Sequence, residues 1–148
     1  MTAENVFSIA NIIALAGWLI LIVMGRHRLA HTLVTGVILP LLLTALYTAI
    51  LVIHWTESEG GFGSLAGVQA LFSNQWLLLA GWVHYLAFDL FVGSWEVRDA
   101  QQHRIPRWAM IPCLILTFLF GPAGLLLYAM VRTLALRRMT LPELRNHA

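Results

Sequence analysis

The chain has 148 residues, of which 59% are hydrophobic and only 11% charged, with a net charge of +2. A soluble domain carries roughly 25% charged residues, so this composition excludes an ordinary water-soluble fold and points to lipid as the solvent. All nine basic residues are arginine, and they cluster at the ends of apolar runs, which reads as membrane flanking and excludes nucleic acid as a partner.

A helix needs about 20 apolar residues to cross the hydrocarbon, and four segments qualify. The first covers residues 6–24. An acid but no base precedes it, in "MTAENVFSIANIIALAGWLILIVMGRHR", so it reads as a retained helix rather than a cleaved signal. The second covers residues 29–53 with Pro40 near its middle. A glycine-rich acidic loop follows, "HWTESEGGFGSLAGVQALFSN", whose second half (65–72) has the makings of a short interfacial helix. "SNQW" then supplies an N-cap for the third span, residues 76–95, which has a tryptophan at each end. The fourth covers residues 108–131 and is interrupted by "FGPAG". The predicted fold is therefore all-α: one domain over residues 1–148, an integral-membrane bundle of four transmembrane helices, with the fourth broken or kinked at Gly121-Pro122.

Arginine placement sets orientation. Arg26 and Arg28 mark the first loop, and Arg98, Arg104 and Arg107 the third, so both loops are expected inside. The tail, with Arg132, Arg137, Arg138 and Arg145, conflicts with a fourth full crossing. A hairpin turning back at "FGPAG" would bring all nine arginines to one side. Proline is nevertheless common in spanning helices, and the sequence favours the kinked full span.

The chemistry concentrates on the third segment. At 100° per residue, Leu78, Trp82, Tyr85, Asp89, Gly93 and Glu96 share one face, whereas His84 lies about 140° from Asp89. A charge at membrane depth costs about 2.5–3.5 kcal/mol. Asp89, placed about six residues from its helix end, is therefore protonated, paired with Arg26 or Arg107, or lining a cavity. Intramembrane ionisable groups mark function by default, so Asp89 is the leading catalytic candidate, with His84 and Tyr85 as acid–base partners. Trp82, Glu96, Asn11, Tyr47 and Thr44 are candidate substrate contacts. Thr44 and Tyr47 lie on a stripe with Gly36 and Pro40; Asn11 lies on one with Glu4, Ser8 and Trp18. Asn11, Tyr47 and His84 are expected at similar depth, where they can meet. His27, His31 and His103 are too few and too close to arginines to argue for a metal. The lone Cys113 forms no internal disulfide.

The run "WVHYLAFDLFVGSWEVRDA" (82–100), followed by "PCLILTFLFGPAGLLLY" (112–128), resembles a small integral-membrane family, that of the abscisic-acid-deficient-type neoxanthin synthase and its bacterial relatives. The resemblance is strong from Gln75 to Arg132. It implies an isomerase that needs no cofactor and acts on a carotenoid or related isoprenoid lipid. An epoxide opens and an allene forms without net redox change, which asks for an acid at the epoxide oxygen and a base at the polyene end. A buried carboxylate with an imidazole or phenol can supply both. The short chain has no recognisable transit peptide and is expected in a bacterial inner membrane, in contact with membrane lipid. A homo-oligomer fits such a small bundle. Two other functions use the same residues: a non-catalytic carotenoid- or lipid-binding accessory protein, and a small transporter with Asp89 and His84 as a proton relay.

Overall fold

The computed structural model describes residues 1–24 and 27–146, with side chains through Arg137. Arg26 and the side chains of Arg138 and Arg145 lie outside that range. All regular structure among the described residues is helical. Helix α1 (Ala3–Met24) is followed by a π-helical stretch (Ala30–Ile38) that runs directly into α2 (Leu39–His54) and a 3-10 turn (Trp55–Glu57). Then come α3 (Leu65–Ser73), α4 (Gln75–Gln102), α5 (Arg107–Phe120) and α6 (Pro122–Asn146). Among the described residues three helices are long and apolar enough to cross a membrane: Ala3–Met24, Ala30–Glu57 and Gln75–Gln102.

Local chemistry accounts for these boundaries. The Ser64 hydroxyl accepts from the Gly67 N–H at 3.0 Å and starts α3; the Asn74 side-chain Oδ1 accepts from the Trp76 and Leu77 N–H groups and starts α4. The π-helical stretch stands just before Pro40. A proline has no N–H to donate and its ring clashes with the carbonyl four residues back. The wider turn changes the pairing ahead of it, so that the Leu39 N–H bonds the Val34 carbonyl and the Thr35 hydroxyl bonds the Ala30 carbonyl.

Helix α4 is the axis of the bundle. Small residues of α1 let it approach closely: Ala10, Ala14 and Gly17 are buried against α4, and Trp18 lies on Gly93. One apolar cluster joins α1, α2 and the first half of α4; a second joins α1, the second half of α4, α5 and α6.

The fourth segment corrects the expected kinked span. Gly121 adopts φ +46°, ends α5 and separates it from α6, which starts at Pro122. The chain then reverses. Gly121 sits beside Asp89 at the middle of α4, whereas Tyr128 and Arg132, further along α6, hydrogen-bond Asp99 near the end of α4. Helices α5 and α6 therefore form a hairpin, its tip at Gly121 and its two open ends at the arginine-bearing end of α4. At 14 residues, α5 is about 21 Å long, short of a 30 Å hydrocarbon layer. Glycine just past one helix and proline at the first position of the next is the usual asymmetry of helix ends. Here it marks a reversal, because Gly124 packs so tightly on Thr117 that a Cβ there would stand 2.1 Å from the Thr117 nitrogen.

Candidate functional site

The third span is longer than predicted, reaching Gln102 rather than residue 95. Asp89 thus lies 13 residues from that end, not six, and sits at mid-helix. It is 8% exposed, and its Oδ2 is buried without a hydrogen-bond partner. Its carboxylate faces the hairpin tip: a Cβ on Gly121 would stand 2.7 Å from Oδ1 and 3.1 Å from Oδ2. Only a glycine lets the tip come this close, and only a glycine accepts that φ without strain. The carboxylate lies next to the first turn of α6, the positive end of that helix's dipole. Of the two arginines considered as partners, Arg26 lies outside the described residues. Arg107 instead donates to the Ile22 carbonyl of α1.

Tyr85, one turn before Asp89, interacts with that carboxylate and donates its hydroxyl to the Phe118 carbonyl at 3.2 Å. Trp82 continues the face: its ring centroid is 5.4 Å from that of Tyr85, and its Nε1–H donates to Asn11 Oδ1 at 3.2 Å. Asn11 in turn donates to the Phe7 carbonyl. Beyond Trp82 an open groove of about 340 Å³ runs between α1 and α4, with Phe7, Leu78 and Leu79 on its walls and Glu4 and Gln75 at its mouth. The wheel-face of α4 inferred from sequence is thus a continuous strip, from a polar mouth past aromatic rings to a carboxylate.

The other candidates go elsewhere. His84 is exposed on the opposite side of α4, its ring 4.5 Å from Phe88 and 5.5 Å from Tyr47. Tyr47 and His84 meet, as expected, but Asn11 is not with them; α4 stands between. Thr44 lies on a separate apolar groove between α2 and α4. Glu96, predicted as a substrate contact, is fully enclosed: Thr117 Oγ1 stands 3.0 and 3.1 Å from its two oxygens, a link from α4 to α5.

Sequence reasoning missed the Asp99 clamp. Asp99 Oδ2 accepts from Tyr128 Oη and Arg132 Nε, both at 2.7 Å, and His103 Nδ1 lies 3.4 Å from Oδ1. The i, i+4 spacing of Tyr128 and Arg132 on one helix face was a usable signal. This clamp holds the returning helix against α4, and it draws His103 away from the histidine pair considered as metal ligands. Asp99→Ala leaves the fully buried Tyr128 hydroxyl without its acceptor. We expect a loss of about 1–3 kcal/mol in thermal or denaturant unfolding in detergent, with Asp99→Asn milder because its carbonyl still accepts one bond.

This fold and site define a helical membrane protein that holds an acid against the tip of a helical hairpin. The chain belongs to the ABA DEFICIENT 4-like family, whose model matches residues 5–128. It is 25% identical over 132 residues to the protein ABA DEFICIENT 4, chloroplastic, of Arabidopsis thaliana, an alignment that covers 83% of this chain. The chain spans 58% of the length of that curated relative. No solved structure matches.

Proposed function

We propose that the chain crosses a bacterial inner membrane three times, inserts the α5–α6 hairpin from the arginine-bearing side, and isomerises a carotenoid or related isoprenoid held between α1 and α4. The positive-inside rule supports the orientation, with the hairpin returning its arginines to the cytoplasmic face. The observation that carries the function is the buried Asp89 oxygen without a hydrogen-bond partner, at mid-helix and at the end of an aromatic strip. A structural acid would have its acceptors satisfied, as Asp99 has. An unsatisfied one is available to a ligand.

The chemistry needs no cofactor. Tyr85 donates its proton to an epoxide oxygen as the C–O bond opens, and Asp89 takes a proton from the polyene carbon as the allene forms. Transfer from Asp89 back to Tyr85 closes the cycle, so protons and electrons balance. Stacking against Trp82 and Phe7 holds the polyene. His84, on the far side of α4, takes no part.

The test is expression in cells that make epoxy-carotenoids, with pigment analysis of membranes and of the purified protein. An allenic product in the membranes and pigment bound to the protein are expected. Pigment retained without product would leave a binding protein; neither would overturn the reading.

A further inference from the structure

The arginine-bearing end holds a polar cluster that the Asp89 site does not use. Arg98, four residues before the end of α4, is half-buried, and no carboxylate of the described residues pairs with it. Its neighbour Asp99 is taken by Arg132, Tyr128 and His103. The Arg98 guanidinium lies over the backbone of the π-helical stretch, with Nη1 3.3 Å from where a Cβ on Gly36 would stand. His31 is 3% exposed, and its Nδ1 faces the Thr32 hydroxyl at 3.2 Å. The Gln101 side chain hydrogen-bonds that ring, and the charges of Arg98 and Arg28 lie near it. A guanidinium drawn partly out of water without a counter-charge is unfavourable. No carboxylate among the described residues supplies that charge, and an anion at the membrane surface would.

What lies next to the cluster says where from. Gly36 is also the head of an open apolar groove of about 370 Å³, lined by Pro40, Leu41, Phe88 and Phe91. The Arg98 guanidinium and a hydrocarbon-sized trough thus meet at one residue. The π-helical turn makes this junction: it brings Gly36 under Arg98, and a Cβ at Gly36 would stand 2.7 Å from the His31 carbonyl. Arg98 is roughly 6 Å from the end of α4, at the level of lipid phosphates on the face that bears the arginines. We propose that Arg98 holds the phosphate of an anionic phospholipid whose acyl chain lies along the Gly36–Phe91 groove.

The test is native mass spectrometry of the full chain released from nanodiscs of equal phosphatidylglycerol and phosphatidylcholine. One cation near the lipid surface favours the anionic lipid by about fivefold, so wild type is expected to retain phosphatidylglycerol with at least about that preference. Arg98→Gln brings the ratio close to parity. Arg98→Lys keeps part of it, having the charge but not the fork. Arg104→Gln, an exposed arginine at the same end, keeps all of it. Excess inorganic phosphate leaves the bound lipid in place. Any of four results overturns the proposal: no preference in wild type, a wild-type ratio in Arg98→Gln, an equal loss in Arg104→Gln, or displacement by inorganic phosphate. Should Arg98→Gln not fold, the other arms decide.

Discussion

On the proposed function, replacing Asp89 by Asn is expected to lower turnover of an epoxy-carotenoid by at least about a hundredfold, the scale of a lost general acid or base, and to leave the protein folded. The amide has the carboxylate's shape, so the hairpin tip at Gly121 meets the same outline, and the pigment still binds along Trp82 and Phe7. What is lost is an oxygen that can take a proton. The measurement is single-turnover conversion in detergent or liposomes, with pigment binding followed separately by absorbance. Equal turnover in Asp89→Asn and wild type would remove Asp89 from the chemistry. His84→Ala is the contrasting variant. Its ring faces outward between Phe88 and Tyr47, so turnover is expected to stay within about twofold of wild type, the range left by a side chain that supplies no proton.

The second large effect is expected at Gly121. A non-glycine residue held at φ +46° stores on the order of 1–3 kcal/mol of backbone strain. A Cβ there also meets Asp89 Oδ1 at 2.7 Å. Gly121→Ala is therefore expected to destabilise the protein by more than the strain alone and to abolish turnover, because tip and acid are pushed apart. A double-mutant cycle separates the two causes. In an Asp89→Ala background the oxygen is gone, so the same alanine costs only the strain; the difference is the coupling between tip and acid. Gly61→Ala is the control. A Cβ there meets nothing within 4 Å, and the expected change lies within about 0.5 kcal/mol. Gly121→Ala stability equal to that control would mean the tip is not where it is described.

Most helices were legible in the sequence because lipid makes apolar length a strong signal, and the caps at Ser64 and Asn74 are local chemistry. The Asp89 face was legible too, since residues 82, 85 and 89 fall together on any helical wheel. The hairpin was not. Pro122 suits a kink and a helix start equally well, and the sign of φ at Gly121 is settled by what packs on it. The tail arginines were the available signal for reversal. Asp99 was not singled out and Glu96 was read as a substrate contact, because their partners, Tyr128, Arg132 and Thr117, come from the returning hairpin. The Thr35–Ser94 contact joins residues 59 apart, and the π-helical turn that permits it has no periodicity signature of its own.

The hairpin carries the whole account, since it alone brings a helix start to Asp89. Its consequence for topology is simple: three crossings put the two ends of the chain on opposite sides of the membrane, and four put them on the same side. The direct measurement is labelling of single cysteines, Thr2→Cys and Arg137→Cys, each in a Cys113→Ala background, with a membrane-impermeant maleimide on intact spheroplasts and on inverted vesicles. The account predicts that Thr2→Cys is labelled only from the outer face and Arg137→Cys only from the cytoplasmic face. Labelling of both from the same face would contradict it.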